Sequence, residues 1–218
     1  MKYRKEYEMK LIDMQVTGYL DILASDAPAP GGGSAAALCG AQGIGLVTMV
    51  AGQTSIKKAY EADWPLCHEI ADEGKGLFEA LTAQVDKDTD AYNVLAAAFK
   101  MPKETDEQKA VRRAEIARGT LISTEVPFET LKLAVRSLEL ADKLLGHYNT
   151  NCASDLGVGG LNLHTCVHGA WMNVLINLSG IKDEQKAAFF REEGARLVAH
   201  ADEIAARVNE TTMRDILG

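Results

Sequence analysis

The spacing of apolar positions along the chain predicts a helical protein. Apolar residues recur every three or four positions in successive segments, whereas no long β-branched run alternates with polar residues. We therefore predict an all-α fold in a single domain over residues 1–218, a bundle of about six to seven helices of which two are long. The predicted helices span roughly 13–24, 34–53, 64–99, 105–126, 128–145, 155–178 and 183–209.

Capping and breaking residues set these boundaries. Asp63 precedes Pro65 at the start of the third predicted helix, and Gly146 follows the end of the fifth. Pro127 is expected to break or kink the helix, because proline lacks a backbone donor and clashes with the preceding turn. The other predicted helix starts are Asp13, Ser34 or a glycine before it, Thr105 or Asp106, Ser154 and Asp183.

One acidic residue of the third predicted helix falls within its apolar face. At about 100° per residue, Asp88 lies in the same sector as Leu81 and Leu95, whereas Asp86 points to roughly the opposite side. A carboxyl among apolar side chains is costly unless it is paired or neutral, and a raised pKa suits proton transfer near neutral pH. Asp88 is therefore a candidate catalytic acid; the alternative is that DKDTD is a solvated acidic turn.

Polar residues line one sector of the helix predicted at 155–178. Asp155, Asn173 and Asn177 share this sector with another asparagine and several glycines, and neither Lys nor Glu occurs in it. Such a stripe predicts a shallow groove lined by hydrogen-bonding groups. The alternative is that the asparagines bond to neighbouring helices.

The segment HTCVH on the same helix resembles a metal-binding pattern. His164 and His168 have the i, i+4 spacing of helical metal ligands. Cys166 points away from both, however, and no glutamate follows the first histidine as it does in metalloproteases. We therefore expect no metal site, and interpret the histidines as lying at the edge of the core.

A glycine-rich segment precedes the second predicted helix and contains Gly31, Gly32, Gly33 and Ser34. It lacks the lysine of a P-loop and the spacing of a dinucleotide-binding fingerprint, and no strand precedes it. Consecutive glycines at a helix N-terminus expose backbone N–H groups to a carboxylate or to the polar edge of a heterocycle. The alternative is a glycine hinge that lets two backbones touch.

Composition limits the classes of function. The chain has 23 Lys and Arg against 31 Asp and Glu, and a net charge of −8 argues against nucleic-acid binding. Four cysteines without a CxxC pair are typical of a reduced, cytoplasmic protein. The charged N-terminus does not resemble a signal peptide, and we find no uncharged apolar window that would span a membrane. Lys57, Lys58 and Lys103 belong to basic clusters that would suit an anionic ligand, with a solvated surface as the alternative.

Four segments in order carry a resemblance to a known family: APAPGGGSAAALCGAQGIG, VDKDTDAYNVLAAAFKMPKETDEQK, EVPFETLKLA and NCASDLGVGGLNL with GAWMNVLINL. They resemble the cyclodeaminase domain of formiminotransferase-cyclodeaminase and, equally, the stand-alone bacterial cyclodeaminase and methenyltetrahydrofolate cyclohydrolase proteins. The resemblance covers nearly the whole chain with similar spacing.

This resemblance implies an all-α homodimer that binds a folate substrate, or its polyglutamylated form, without a metal or redox cofactor. The implied activity is conversion of 5-formiminotetrahydrofolate to 5,10-methenyltetrahydrofolate and ammonia. The alternative within the family is hydrolysis of the methenyl compound to 10-formyltetrahydrofolate. A non-catalytic helical protein that binds a folate-like anion is the alternative from another class.

The resemblance also implies roles for particular residues. In the V-D-x-D motif, the proton-transfer acid of the family matches Asp88, with Asp86 as the fallback. The residues implied to bind the substrate are Gly31, Gly32, Gly33, Ser34, Asp155, Asn173 and Asn177, with Lys57, Lys58 and Lys103 for the glutamate tail.

Overall fold

The computed structural model describes residues 9–218, and these residues form six α-helices and no strand. The helices are α1 (Val16–Leu23), α2 (Gly32–Thr54), α3 (Trp64–Phe99), α4 (Asp106–Leu144), α5 (Ala153–Leu178) and α6 (Glu184–Leu217). Short 3-10 segments lie at Leu11–Asp13, Lys58–Asp63 and Thr150–Cys152. The predicted all-α class is confirmed. Most of the N-terminal segment, which we expect not to be a signal peptide, lies outside the described residues.

The central helix of the bundle is α2. It packs between α3 and α5, and α5 packs in turn against α4 and α6. Ile44, Val47 and Val50 of α2 are fully buried. By length and composition α2 is apolar enough to cross a membrane, contrary to our expectation that no such window exists, and half of that window is buried inside the bundle. Its position between two neighbours accounts for this apolarity, because a core helix is apolar on most sides.

The backbones of α2 and α5 touch at a pair of glycines. A Cβ atom on Gly43 would lie 2.7 Å from Leu163 Cγ and 2.8 Å from the carbonyl oxygen of Gly159. A Cβ atom on Gly159 would in turn lie 3.1 Å from the carbonyl oxygen of Gly43. The absence of side chains at both positions therefore permits the close contact between the two helices.

Of the break or kink expected at Pro127, the break is wrong, because α4 continues through this residue as one helix of 39 residues. Pro127 has no N–H to donate to the carbonyl of Ser123, four residues earlier. That carbonyl instead accepts a hydrogen bond of 2.9 Å from Nδ2 of Asn177 on α5. A side chain from another helix thus replaces the missing backbone bond, and three helices rather than two exceed 30 residues.

Several helix starts agree with their predicted caps. Asp183 caps α6 through two backbone N–H groups at 3.1 Å, Thr105 caps α4 in a capping box, and Gly31 occupies the N-cap of α2. Asp13 and Ser154 are not caps, because α1 begins three residues after the first and α5 one residue before the second.

Replacing Gly43 with alanine should destabilise the bundle. We expect Gly43→Ala to lower the free energy of unfolding by about 1–3 kcal/mol, since the new methyl group would meet backbone that cannot move aside. Urea unfolding measures this loss.

Gly52→Ala is the matched control in the same helix. A Cβ atom there meets nothing within 4 Å, so the substitution should instead raise the stability by about 0.5–1 kcal/mol. Equal stabilities of the two variants would contradict the proposed contact.

Candidate active site

A cleft opens where the N-terminus of α2 meets the second half of α3 and the C-terminal half of α5. Its volume is about 190 Å³. One carboxyl group and several polar groups face apolar and aromatic side chains, a combination typical of sites for small molecules. The lining residues are Pro28, Ala29, Gly31, Gly32, Gly33, Asp88, Thr89, Ala91, Tyr92, Leu95, Ser123, Asn173, Ile176 and Asn177.

Asp88 provides the carboxyl group of this cleft. Its Oδ2 accepts a hydrogen bond of 2.9 Å from the N–H of Ser34 and lies 3.2 Å from the Ser34 hydroxyl. Ser34 is fully buried in the first turn of α2, where the helix dipole favours a negative charge. Burial nevertheless raises the pKa of Asp88, and the two hydrogen bonds from Ser34 offset this rise only in part.

Ser34 can serve both protonation states of Asp88. Its Oγ lies 2.8 Å from the carbonyl oxygen of Val85 and 3.2 Å from Oγ1 of Thr89, as well as near the carboxyl. When Asp88 is ionised, the hydroxyl donates to the carboxylate. When Asp88 is protonated, it donates to Oγ, and the serine proton turns to Val85. The carboxyl can therefore exchange a proton while it keeps a hydrogen-bond partner.

Gly33 leaves the space that Asp88 occupies. A Cβ atom on Gly33 would lie 2.0 Å from Oδ1 and 2.4 Å from Cγ of Asp88. Gly32 is less restricted, because its Cβ atom would lie 3.6 Å from Asn173 Nδ2, and a Cβ atom on Gly31 would meet nothing within 4 Å. Of the three glycines, Gly33 is thus the one that the carboxyl requires.

Asn173 and Asn177 form the opposite wall of the cleft. Asn173 Nδ2 donates to the carbonyl of Gly169 at 2.8 Å, and Asn177 Nδ2 donates to the carbonyls of Ser123 and Asn173 at 2.9 Å. Within residues 9–218, neither amide oxygen accepts a hydrogen bond, so both remain available to a ligand. The asparagines therefore fit both interpretations. Their amide groups bond to helix backbone, and they also line the cleft.

Ser34 contacts Asp88 but is fully buried and does not line the cleft, and four other predicted substrate-binding residues lie away from it. Asp155 lies 18 residues before Asn173 on α5, which corresponds to about 27 Å along the helix. Lys57 and Lys58 follow the C-terminus of α2, about 35 Å from its N-terminus. Lys103 is exposed in the connection between α3 and α4. The structure therefore does not bring these residues together with Asp88 within one chain.

Asp86 also lies outside the cleft and makes a structural contact. Its Oδ1 accepts a hydrogen bond of 2.6 Å from the N–H of Leu11, in the 3-10 segment that precedes α1. This bond ties the N-terminal segment to α3. Burial, with smaller effects of Cys39 and Asp88, raises the pKa of Tyr19 on α1.

Three residues that line the cleft were not predicted from the sequence: Tyr92, Ser123 and Ile176. Tyr92 follows Asp88 by four residues on the same face of α3, so helical spacing alone would have indicated it. Ser123 gave no such signal. Its backbone carbonyl lacks the usual helical donor because residue 127 is a proline, and it binds Asn177 instead. Ile176 reads as an ordinary apolar residue, yet it is 76% exposed at the rim of the cleft.

Comparisons with known proteins identify the family. A family model described as Formiminotransferase-cyclodeaminase matches residues 15–215. The chain is 36% identical over 196 residues to the methenyltetrahydrofolate cyclohydrolase of Methylorubrum extorquens, covering 88% of this chain and 93% of that protein. The chain therefore belongs to the formiminotransferase-cyclodeaminase family, a family of folate one-carbon enzymes.

Two further similarities support the family and the fold. The chain is 32% identical over 189 residues to the formimidoyltransferase-cyclodeaminase of Gallus gallus, covering 86% of this chain and 34% of that protein. It thus spans about a third of the length of that relative. The fold is similar to the crystal structure of formiminotetrahydrofolate cyclodeaminase from Thermotoga maritima, with a TM-score of 0.77, 24% identity and coverage of 93% and 96% of the two chains.

Asp88→Asn should be more stable than the wild type at neutral pH. The folded pKa of Asp88 is raised above its unfolded value of about 4, so the folded state binds the proton more tightly. The wild type therefore loses stability as the pH rises from the unfolded to the folded pKa, whereas asparagine does not ionise. Urea unfolding at several pH values should show an advantage of the variant that grows through this window and then levels off.

Asp86→Asn is the matched control on the same helix. Its amide oxygen accepts the Leu11 hydrogen bond more weakly than a carboxylate does, so this variant should lose about 1 kcal/mol at neutral pH. The assignment of Asp88 as the costly carboxyl fails if both variants change stability in the same direction.

Proposed function

We propose that the protein acts on the carbon that bridges N5 and N10 of tetrahydrofolate, and that its main reaction is hydrolysis of 5,10-methenyltetrahydrofolate to 10-formyltetrahydrofolate. The observation that carries this proposal is Asp88, a carboxyl with a raised pKa and a partner for each protonation state, inside a cleft lined by amides. The methenyltetrahydrofolate cyclohydrolase that is 36% identical and covered to 93% favours this reaction, whereas the similar structure from Thermotoga maritima, at 24% identity, supports the fold alone.

Hydrolysis requires one group that accepts and then returns a proton. Water attacks the cationic methenyl carbon, and ionised Asp88 takes a proton from the water as the C–O bond forms. Asp88 then donates this proton to N5 as the bond between carbon and N5 breaks. The remaining hydroxyl proton leaves to solvent, which yields the formyl group on N10 and releases one proton overall. Ionised Asp88 also stabilises the positive charge of the methenyl bridge.

Formation of the methenyl bridge from 5-formiminotetrahydrofolate is the second candidate reaction. The similarity to formimidoyltransferase-cyclodeaminases favours it. N10 attacks the protonated formimino carbon, and Asp88 transfers the N10 proton to the departing nitrogen, which leaves as ammonia. Both reactions pass through a tetrahedral carbon between N5 and N10, so the same carboxyl position serves them.

The walls of the cleft suit a pterin ring. The amide oxygens of Asn173 and Asn177 can accept hydrogen bonds from the ring N–H and amino groups. The N–H groups of Gly32 and Gly33 belong to the first turn of α2, where backbone donors have no partner within the helix, and they can donate to a ring oxygen. The side chain of Tyr92 offers a flat surface to the ring.

The glutamate tail of the folate would leave the cleft towards solvent. Binding of this tail by Lys103 stays a prediction. Lys57 and Lys58 lie at the far end of α2, so they can contribute only to a long polyglutamate tail or to the cleft of a second copy.

We expect the reaction to need no resident metal ion or redox cofactor. The lining residues offer one carboxyl and two amides but no histidine or cysteine, which does not fit the usual ligand sets of zinc. Turnover should therefore persist after treatment of the protein with a chelator.

We also propose that a second copy of the chain covers part of α5. Met172, Leu175 and Ile176 lie together on its outer face and are 65%, 43% and 76% exposed. Ile176 also borders the cleft, so a partner on this face would extend the wall of the site. This arrangement corresponds to the homodimer that the family resemblance implies.

A cytoplasmic location is part of the same proposal. All four cysteines are free thiols, and Cys39 and Cys152 are partly exposed. Free, accessible thiols are typical of a reducing compartment.

Asp88→Asn should lower kcat for hydrolysis of 5,10-methenyltetrahydrofolate by about 10²–10⁴-fold, because the variant cannot accept a proton. Loss of the methenyl absorbance measures hydrolysis, and the same signal measures its formation from 5-formiminotetrahydrofolate. In the wild type, kcat should fall on the acidic side as Asp88 becomes protonated, at a pH above the ordinary aspartate pKa of about 4.

Two glycine variants control for indirect effects. Gly33→Ala should lower kcat as well, because its methyl group displaces the carboxyl, whereas Gly45→Ala in the same helix makes only ordinary contacts at 3.7 Å with Phe78 and should not. A wild-type protein that converts neither substrate would refute the proposed function and leave the non-catalytic alternative.

Met172→Glu should convert a dimer to a monomer, because a charge would be buried in an apolar interface. Light scattering after size exclusion should give about twice the 23.5 kDa of one chain for the wild type and the single mass for the variant. Met213→Glu, at another exposed methionine on α6, is the control and should stay dimeric. A monomeric wild type would rule out this interface.

A further inference from the structure

Three potential metal ligands from two helices meet away from the cleft. Nε2 of His164 and Nε2 of His168 lie 2.7 Å and 2.8 Å from the same oxygen, Oδ1 of Asp202 on α6. The two nitrogen atoms are 3.1 Å apart. One carboxylate and two imidazoles thus direct three ligand atoms towards one another.

The packing of α5 against α6 brings this cluster together. The two histidines are one turn apart on α5, and their rings stand nearly perpendicular, with centroids 4.6 Å apart. A Cβ atom on Gly160 would lie 2.8 Å from Val208 Cγ1, so the helices approach closely just beside the cluster. Both histidines are slightly more than one third exposed, which agrees with the predicted position at the edge of the core, and both contact Asp202.

Hydrogen bonds to Asp202 account for this arrangement only when both imidazoles are protonated at Nε2. Each imidazole can donate to Asp202 only when its Nε2 carries a proton, and two such N–H groups then stand side by side at one oxygen. A cation would instead accept a lone pair from each of the three atoms. In a tetrahedral zinc site with bonds of about 2.0–2.1 Å, ligand atoms are about 3.4 Å apart, so the three separations of 2.7, 2.8 and 3.1 Å need to open by about 0.3–0.7 Å.

We propose that His164, His168 and Asp202 bind a divalent transition-metal ion, with Zn²⁺ as the best match. Two histidines and one carboxylate form the ligand set of zinc sites that keep a fourth position for water. His164 and Asp202 also line a groove of about 320 Å³, which gives the fourth position access to solvent. Asp202 supplies the negative charge that favours a cation over a neutral ligand.

The proposed ion would join α5 to α6 and take no part in the reaction. His164 precedes Asn173 by nine residues, which places the two side chains on opposite sides of α5 and about 13 Å apart along its axis. The ion would therefore brace the helix that carries the amide wall of the cleft. This inference rests on the cluster itself and is independent of the proposed function.

Calorimetric titration of chelator-treated protein with Zn²⁺ tests the site. The wild type should bind one ion per chain, and His164→Ala or His168→Ala should weaken the affinity by about 100-fold or more. Asp202→Asn should weaken it by at least about tenfold. His68→Ala is the matched control, because His68 is an exposed histidine on α3, and it should bind Zn²⁺ like the wild type.

Thermal unfolding provides a second readout that detects misfolded variants. Zn²⁺ should raise the Tm of the wild type and of His68→Ala but not of His164→Ala or His168→Ala, whose Tm without metal reports whether they fold. Absence of Zn²⁺ binding to the wild type would overturn the proposal. So would wild-type affinity in both histidine variants, because the ion would then bind elsewhere, for example at Cys39 or Cys152.

Discussion

The contact between Ser34 and Asp88 is the interaction on which the site depends. It joins the first turn of α2 to the second half of α3 and holds a carboxyl where burial opposes its ionisation. Gly33 makes the contact possible, because its missing side chain leaves room for the carboxyl. Ionisation of this buried carboxyl lowers the stability of the fold at neutral pH, and the same raised pKa lets the carboxyl exchange protons nearer to neutral pH. Such perturbed carboxyls are common at active sites.

A second cross-helix bond shapes the opposite wall. Pro127 removes a backbone donor from α4, and Asn177 of α5 binds the carbonyl of Ser123 that is left without its usual partner. The same bond orients the amide whose oxygen is available in the cleft. A residue that interrupts helical bonding in one helix therefore positions an amide of the cleft wall on another.

Helical periodicity was sufficient to find Asp88, because a residue's face is fixed by its position within one helix. It did not show that Asp155 lies far from the cleft within one chain, since residues that share a face can still lie at opposite ends of a long helix. Interactions between helices were also out of reach. Spacing within one segment does not reveal that Asn177 bonds to the carbonyl that Pro127 leaves without a donor. Nor does it reveal that Asp202 lies beside the two histidines.

The close glycine contact between α2 and α5 limits how far the two walls of the cleft can move apart. Beyond Gly43, the close approach continues to Gly169, whose Cβ atom would lie 2.8 Å from Ala36 Cβ, one turn short of the cleft. Helices in contact through backbone and methyl groups have no long side chains that can repack, so their separation is stiff. The distance between the two walls is accordingly a fixed aperture. At the rim, by contrast, the side chains of Tyr92 and Ile176 are 41% and 76% exposed within one chain, so the rim is less constrained than the walls.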